Sequence, residues 1–536
     1  MELKLNNFIA RSQKVWEFIS HNWITFILIA VIVYGAFLRL YHLSPGNIVF
    51  WGDPVLDMRE IERIGDAIAR GSLKELPLEG PGSSIEGMHH GAFYYYLLFP
   101  AALLSGFHPY GPTLFIVVLN IIALYLIFLC GKKLFDPITG LLAAFIIAGS
   151  SFIVYHSRFV WNNNLTIFFF LLALFSFSQI REGKQKYWPL FGFAAAAATQ
   201  IHNVTYFWVL IFLLPLVFFR NMLPHGKTLL LTFIVSAIPF LPRLAFLGIN
   251  GILPVQLSWD QQFTASFHTL VYPLKGFLHD GAPFASFIFF KLSGLLPLKT
   301  SGGLLWFITI GAASLFGIWV AALGIPAAIK NWRFWLARAR TEPAIAMMSG
   351  WALASFLVFL IINHFPGNLH GETGPPPHHL LGAMVFFSLV AARSIKETFS
   401  HYAPALVALA MLGGFFYSNF ETIRAEIWRP QEPTFSAARE LIQLLGEHGS
   451  SPAALEMNRP IFYPTIQLLG DRFGITVPSL LNGFPPEQRA HTAALFLLVQ
   501  PPGEKGEQCR NPTLEKKFGF LNLWRCANQS SSAPQP

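Results

Sequence analysis

Runs of about twenty apolar residues, separated by short polar loops, recur along most of this chain, and no other feature constrains its fold as strongly. A helix that crosses the hydrocarbon core of a bilayer needs about 20 such residues, because an α-helix rises only about 1.5 Å per residue. About eleven runs meet or approach that length. They are Trp23 to Tyr41, Gly111 to Cys130, Ile138 to Tyr155, Leu165 to Ile180, Trp188 to Ile201, Thr205 to Phe219, Thr228 to Leu247, Leu304 to Ile329, Ala344 to Ile362, His379 to Ala392 and Tyr402 to Tyr417. Composition excludes a soluble globular chain: 12% of residues are charged and 54% hydrophobic, with a mean hydropathy of +0.49, where soluble domains carry about 25% charged residues. The expected class is an all-α polytopic membrane protein.

Orientation follows from the basic residues, because Lys and Arg in short loops stay on the cytoplasmic side. The first run follows a leader containing Lys4, Arg11 and Lys14 and lacks a small-residue cleavage site, so it reads as a retained signal anchor. With the N-terminus inside, the inner loops GKKLFDPITG, REGKQKYW, RNMLPHGK, KNWRFWLARARTEP and RSIKETF are all basic. The short outer loops SRFVWNNN, HNV and NHFPGNLHGETGPPPH hold a single Arg between them. The N-in, C-out topology accounts for the net charge of +9, and no nucleic-acid partner is expected.

Three regions lie outside the runs, within a membrane domain over 1–417 and a tail over 418–536. The first outer loop, 43–110, opens with WGDPVLDMREIERIGDAIARGSLKELPLEGPGSSIE, which holds eight of the chain's 28 carboxylates. Within it Pro54 to Arg70 has helical spacing, with Leu56, Ile61, Ile64 and Ile68 apolar, as expected for a helix lying in the membrane interface. GAFYYYLLFPAALLSGF then reads as a second interfacial or half-inserted helix, since a full span there would put the basic loops outside. A large outer loop over 248–303 reads as reentrant or membrane-lying. In the tail, FSAARELIQLLGEHG reads as an amphipathic helix and AALFLLVQ and LNLWRCAN as strands, giving a small extracytoplasmic α/β domain with a disordered end. Cys509 and Cys526 both fall there, where an oxidising compartment permits a disulfide or leaves two thiols. No internal repeat of the kind found in inverted-repeat transporters is present.

Spanning a bilayer does not require the acidic segment, so its carboxylates are the first candidates for chemistry. Asp53 follows Trp51 and Gly52 and precedes Pro54. Two roles fit it: a cap on the helix that begins at Pro54, or a general base within reach of a bound hydroxyl. Asp57 follows one helical turn later and shares its face. Such a pair can serve catalysis, orient an acceptor or bind a divalent cation.

A combination of motifs resembles a known family. An acidic residue in the first outer loop, the tyrosine-rich GMHHGAFYYYLLFPAALLSGF, a span, the basic turn GKKLFDPITG, and AAFIIAGSSFIVYHSRFVWNNN look like the N-terminal half of the GT-C superfamily of membrane glycosyltransferases. The likeness is to the bacterial branch related to protein O-mannosyltransferases and the lipid A aminoarabinose transferase, and it runs from about Trp23 to Phe219. The resemblance implies a multi-pass inner-membrane enzyme, with its site facing the periplasm or exterior. It implies transfer of a sugar, usually with inversion, from a polyprenyl-phosphate donor to a lipid, glycan or protein acceptor, with no metal cofactor. It also implies that Asp53 is the base and Asp57 its helper. A rival reading is a non-enzymatic carrier or transporter of lipid-linked saccharides, which would place ionisable groups at the midplane of several spans.

Polyprenyl phosphate is already a good leaving group, so the remaining need is for cations and donors that receive it. Arg158 and Arg243 are candidates, because Arg fits phosphate with two hydrogen bonds and is rare at membrane depth unless it faces a cavity or partner. Interfacial anchoring of Arg158 and snorkelling of Arg243 are the plainer alternatives. His89, His90, His202, His378 and His379 can contact phosphate or sugar, ligate zinc, or pack at the interface. Tyr94, Tyr95 and Tyr96 read as an interfacial aromatic belt, with Tyr94 also a candidate substrate contact. Many relatives carry a carboxylate in the second outer loop, whereas this chain has Asn162, Asn163 and Asn164. Of these, Asn162 and Asn164 are candidate sugar contacts, because amides can bond sugar hydroxyls but cannot act as a base.

Overall fold

The computed structural model describes residues 22–82, 89–203, 205–210, 212–250 and 381–398, scattered positions over 333–342 and 413–428, and the C-terminal segments 433–446, 453–457, 463–475, 479–480, 494–499, 513–518 and 521–526. The expected spans over 304–329 and 344–362, nearly all of the span over 402–417 and of the loop over 248–303, and His378, His379 and Cys509 lie outside the described residues.

Helix α1, Asn22–Leu40, is the first span. It turns Phe26, Ile29, Val33 and Phe37 outward and packs Leu28, Val31 and Leu38 inward, the pattern of a helix at the edge of a bundle facing lipid on one side. The first outer loop follows with α2, Asp53–Ala69, the strands β1, Glu79–Gly82, and β2, His89–Gly91, and α3, Phe93–Leu104. Then come α4, Tyr110–Leu134, α5, Pro137–Gly149, and the short α6, Ser151–Tyr155. After the second outer loop the chain continues as α7, Thr166–Arg181, α8, Trp188–Ile201, α9, Thr205–Leu210, α10, Leu213–Phe218, and α11, Gly226–Ala237. A 3-10 turn at Ile238–Phe240, carrying Pro239, leads to α12, Leu241–Asn250. Helix α13 spans Leu381–Thr398.

Among the described residues, four helical segments are long and apolar enough to cross a membrane: Asn22–Leu40, Tyr110–Leu134, Asn162–Arg181 and Gly226–Phe246. The run at 138–155 is broken instead, because Ser150 leaves the helix and its hydroxyl accepts from the Ile153 N–H to start α6. At 14 residues α8 reaches about 21 Å, short of the roughly 30 Å hydrocarbon core. Helix α3, with 12 residues, reaches about 18 Å and fits a half-inserted element. Helices α5 and α7 both pack on α4, α8 packs on α7, and α11 closes against α8. Their shared core includes Leu124, Ile127, Cys130, Ala144, Phe170, Leu174 and Phe177. Asp136 sets the start of α5: its carboxylate accepts from the Ile138 and Thr139 N–H groups, and Pro137 supplies the first helical φ.

Helix α2 does not lie free in the interface with Leu56, Ile61, Ile64 and Ile68 as its apolar face. Leu56 and Ile68 are exposed, and the buried face is Pro54, Val55, Asp57, Met58, Ile61, Ile64 and Ala67. Protein covers that face. Helix α3 packs on one side, and α14, Phe435–Gly446, and α15, Tyr463–Phe473, join the same core through Ala438, Leu441, Ile442, Ile466 and Leu469. Burying Met58, Ile61 and Ile64 stabilises this arrangement by about 1.5–3 kcal/mol each. Backbone pairing adds to it, with Phe50 N donating to Pro433 O at 3.0 Å and Phe435 N to Ile48 O at 2.9 Å. Arg472 of α15 also pairs with Glu62 of α2.

The C-terminal strands β3, Ala453–Met457, β4, Ser479–Leu480, β5, Ala494–Val499, β6, Thr513–Phe518, and β7, Leu521–Cys526, form one sheet in the order β4-β3-β5-β7-β6. The two strands expected from sequence, β5 and β7, are antiparallel neighbours within it, with Leu497 opposite Trp524. Strand β3 runs parallel to β4 and β5.

Candidate functional site

The first outer loop, which opens with α2, is met at different points along its length by the loop from His156 to Leu165, the turn after α8, and α12. Gly52 occupies the N-cap position of α2 with φ 66° and ψ −128°, a conformation that side-chain-bearing residues rarely adopt. Asp53 is therefore the first helical residue, ahead of Pro54, and no side chain caps the helix. The capping role that sequence allowed for Asp53 is not the one it has. The Asp53 side chain is open to solvent yet densely surrounded by protein, and burial raises its pKa while the neighbouring Trp161 of the second outer loop opposes the rise.

Asp57, one turn on, is in a different environment. It is 2% exposed, and Tyr94 Oη donates to its Oδ2 at 3.0 Å. Tyr95 adds a second hydrogen bond. Burial, reinforced by the nearby charge of Asp53, pushes the Asp57 pKa well above the usual carboxylate range, and the tyrosine bonds only partly offset this. Tyr94 and Tyr95 are themselves buried, and Tyr96 Oη donates to Pro77 O at 2.7 Å. The three tyrosines thus point into protein, not along a membrane surface. Burial pushes the Tyr94 and Tyr95 hydroxyls upward, so they stay protonated and act as donors to Asp57.

Of the cationic candidates, Arg158 is committed to the protein frame. It is 5% exposed, and its Nη1 donates to the carbonyls of Leu38, Arg39 and Tyr41 at 3.3, 2.5 and 2.9 Å. Those carbonyls end α1, where a helix leaves acceptors unsatisfied and favours a positive charge. Arg243 differs. Its guanidinium is half-exposed and stands 3.6 Å from Glu79 of β1, beside the Phe246 ring. It reaches the first outer loop from α12.

Three of the five candidate histidines meet at one corner. His90 and His202 rings lie 4.4 Å apart at 30°. His90 Nδ1 accepts from the Asn203 N–H at 3.1 Å, which places the proton of its neutral ring on Nε2. Asn203 Nδ2 donates to His89 O at 3.2 Å, and His89 Nδ1 donates to Gly80 O at 3.2 Å across the β1–β2 pair. His90 and His202 are buried, whereas His89 is half-buried. The corner depends on Gly91, because a Cβ there would collide with Gln200 of α8.

The asparagines are also inside the wall, not on its surface. Asn162 and Asn164 are each 2% exposed. Asn162 Nδ2 donates to Ile201 O at 2.8 Å, Asn164 Nδ2 to Phe159 O at 2.7 Å, and Asn120 Nδ2 to Asn164 O at 2.9 Å. The Asn162 amide ties the second outer loop to α8, the Asn164 amide closes the loop on itself, and Asn120 ties it to α4. Sequence reasoning did not single out Trp161 or Asn203. A tryptophan beside three asparagines in an outer loop was the available signal for Trp161, whereas Asn203 has a role only through the fold.

Comparison with known proteins agrees with this architecture. Residues 89–246 match the family described as dolichyl-phosphate-mannose-protein mannosyltransferase. No curated protein matches the chain. Among solved structures, the Archaeoglobus fulgidus oligosaccharyltransferase tethered to an acceptor peptide containing the NVT sequon is similar at a TM-score of 0.52, with 14% identity over 90% of this chain and 70% of that one. The same archaeal enzyme in complex with an inhibitory peptide and a dolichol-phosphate gives 0.50, with 12% identity over the same shares.

Proposed function

We propose that this chain, whose fold is that of the GT-C superfamily of membrane glycosyltransferases, transfers a sugar from a polyprenyl-phosphate carrier to an acceptor. The observation that carries the reading is Asp53: an accessible carboxylate at the first position of α2, in the acidic outer loop that the turn after α8 and α12 also meet. In the proposed step Asp53 takes the proton of the acceptor hydroxyl as its oxygen bonds to the anomeric carbon. The bond from that carbon to the phosphate oxygen breaks, and polyprenyl phosphate leaves with the electron pair, inverting the centre. Of the two candidate arginines, Arg243 is the more exposed and is the one proposed to meet the phosphate, with His89 of the neighbouring strand as a further donor. His378 and His379, outside the described residues, are kept in the proposal as further phosphate contacts. No metal is part of it.

The active face is proposed to be periplasmic or exterior, in an inner membrane with the N-terminus inside, supported by the basic loops joining α4 to α5 and α7 to α8. Asp57 serves as a buried support and not as a second base, because its neutral form is favoured. The sugar is expected to be a hexose or pentose, and the acceptor a lipid, glycan or protein. The test is release of free polyprenyl phosphate from labelled undecaprenyl-phosphate sugars, presented as a panel with a membrane extract that supplies acceptors. Release by the wild type and its loss in Asp53→Asn are the expected results. Movement of the lipid-linked sugar across proteoliposomes without any glycosidic transfer would overturn the proposal in favour of a carrier.

A further inference from the structure

The C-terminal segment grips the first outer loop on both sides of Asp53, and one arginine touches that loop at three places. Ahead of Asp53, Val49 bridges to Thr434 in antiparallel fashion, and the Ser436 N–H donates to Gly46 O at 3.2 Å. The chains run so close there that a Cβ on Gly46 would collide with the Ser436 hydroxyl. Beyond Asp53, Arg472 of α15 pairs with Glu62 of α2, and its Nη2 donates to Phe107 O at 2.7 Å in the turn that ends α3. The same guanidinium stands 5.3 Å from the centre of the Phe50 ring. Phe107 has φ 59°, a conformation that aromatic residues rarely adopt, and its ring lies on Gly65 of α2. Glu62 and Gly65 are one turn apart on one face of the helix. The guanidinium and the turn after α3 therefore meet α2 side by side. Arg472 and Glu62 are only 17% and 21% exposed, so solvent screens this pair less than a surface one.

We propose that Arg472 is a positioning residue for the transfer reaction: from the C-terminal segment it clamps α2 to the turn after α3 and so fixes where Asp53 stands. This rests on the assignment of Asp53 as the base. The helix carries the constraint. Helix α2 is one continuous element of 17 residues that begins at Asp53, so holding Phe50 ahead of it and Glu62 within it sets the position of its first turn. No side chain caps that first turn, so the anchoring comes from elsewhere. Arginine suits the task, because its planar fork of N–H donors can bond a carboxylate and a carbonyl together while its face lies over a ring. A lysine ammonium keeps the charge but not the fork. Placement matters to the proposed chemistry, since an error of about 1 Å at a reacting group can cost about 100-fold in rate.

The test compares the full-length wild type and variants in detergent, by amide hydrogen exchange and by the transfer assay with any undecaprenyl-phosphate sugar that the wild type uses. Arg472→Ala should raise exchange in peptides covering 53–69 and 105–110 by about ten-fold. Turnover should fall by about ten- to hundred-fold while KM for the lipid-linked donor changes less than about two-fold, the split expected when a reacting group is displaced and binding is not. Arg472→Lys, which keeps a charge opposite Glu62, should recover part of the turnover, and it keeps the proposal testable if the alanine variant folds poorly. Asp136→Asn disturbs an ion-paired group at the other end of the bundle. It should change neither exchange in α2 nor turnover, which separates positioning from a general loss of stability. Wild-type exchange in α2 of Arg472→Ala, or raised exchange with unchanged turnover, would overturn the proposal. Lowered turnover in Arg472→Ala together with full activity of Asp53→Asn would keep the clamp but remove Asp53 as the base, so the two failures are distinguishable.

Discussion

Asp136 and Glu182 at one end of the helix bundle and the pair Asp53 and Asp57 at the other are treated in opposite ways. At the end reading as cytoplasmic, Asp136 accepts from the start of α5 and stands 2.9 Å from both Arg393 and Lys396 of α13. Burial would raise its pKa, but hydrogen bonds from Lys396 and Thr139 and the Lys396 charge outweigh it and hold the group at about 2. Glu182 nearby bridges Lys133 at 2.7 Å and Lys184 at 3.0 Å. At the opposite end, among the described residues, neither Asp53 nor Asp57 has a cation within ion-pair distance, and both pKa values are raised. Ion pairing at one end fastens helices together. Its absence at Asp53 and Asp57 leaves two carboxylates whose protonation is sensitive to their surroundings, which is what acid–base chemistry needs.

Replacing Asp53 tests that contrast most severely. Asp53→Asn should lower sugar transfer by about 10²–10⁴-fold, measured as release of labelled polyprenyl phosphate, while the protein remains folded in membranes. Asp136→Asn should leave transfer near wild type, and equal losses in the two variants would erase the distinction between the ends.

Next in size is the structural cost of disturbing Asp57. Asp57→Ala leaves the Tyr94 and Tyr95 hydroxyls without their buried acceptor and should destabilise the protein by about 1–3 kcal/mol in thermal unfolding. Asp57→Asn, which mimics the neutral acid, should cost less. Because the folded-state pKa of Asp57 is raised, its stabilising effect is complete below the unfolded value and is lost as pH rises toward the folded one. Asp57→Asn should therefore gain on wild type in thermal stability as pH increases over that window. A constant difference across pH would show that Asp57 is ionised in the folded protein.

Asp136→Asn should cost about 1–2 kcal/mol through the weakened helix start and lost ion pairs. Here the folded pKa is depressed, so the stability it confers is present above the usual carboxylate range and disappears as pH falls through about 2. The smallest effect is expected from Glu79→Gln. Its pair with Arg243 is half-exposed at 3.6 Å, and stability should change by less than about 1 kcal/mol. If that variant alters transfer much more than stability, Arg243 belongs to the reaction and not to the frame.

How far the sequence can be read differs from element to element. Helix α8 is found at the bounds its apolar run predicts, Trp188–Ile201, because a polar residue stops the run at each end. The run over 138–155 is uniformly apolar, and only the local bond of Ser150 to Ile153 shows that it is two helices. In α2 the helical period was legible but the buried face was not. Leu56 and Ile68 are as apolar as Ile61 and Ile64, and what decides between them is the arrival of α3, α14 and α15, the latter two nearly 400 positions away.

By itself the sequence determined a membrane-spanning class, the basic side of the bundle and the acidic first outer loop, since each follows from local hydropathy and charge. It also marked Asp53 and Asp57 as neighbours on one helix. Only the tertiary structure decided what separates them: Asp57 sealed beneath tyrosines of α3, Asp53 open to solvent one turn earlier. Arg158 and the asparagines likewise changed from site to frame once their partners were known. The physical reason is that protonation and hydrogen bonding depend on what surrounds a group in space. In a bundle of helices, most of those surroundings come from distant parts of the chain.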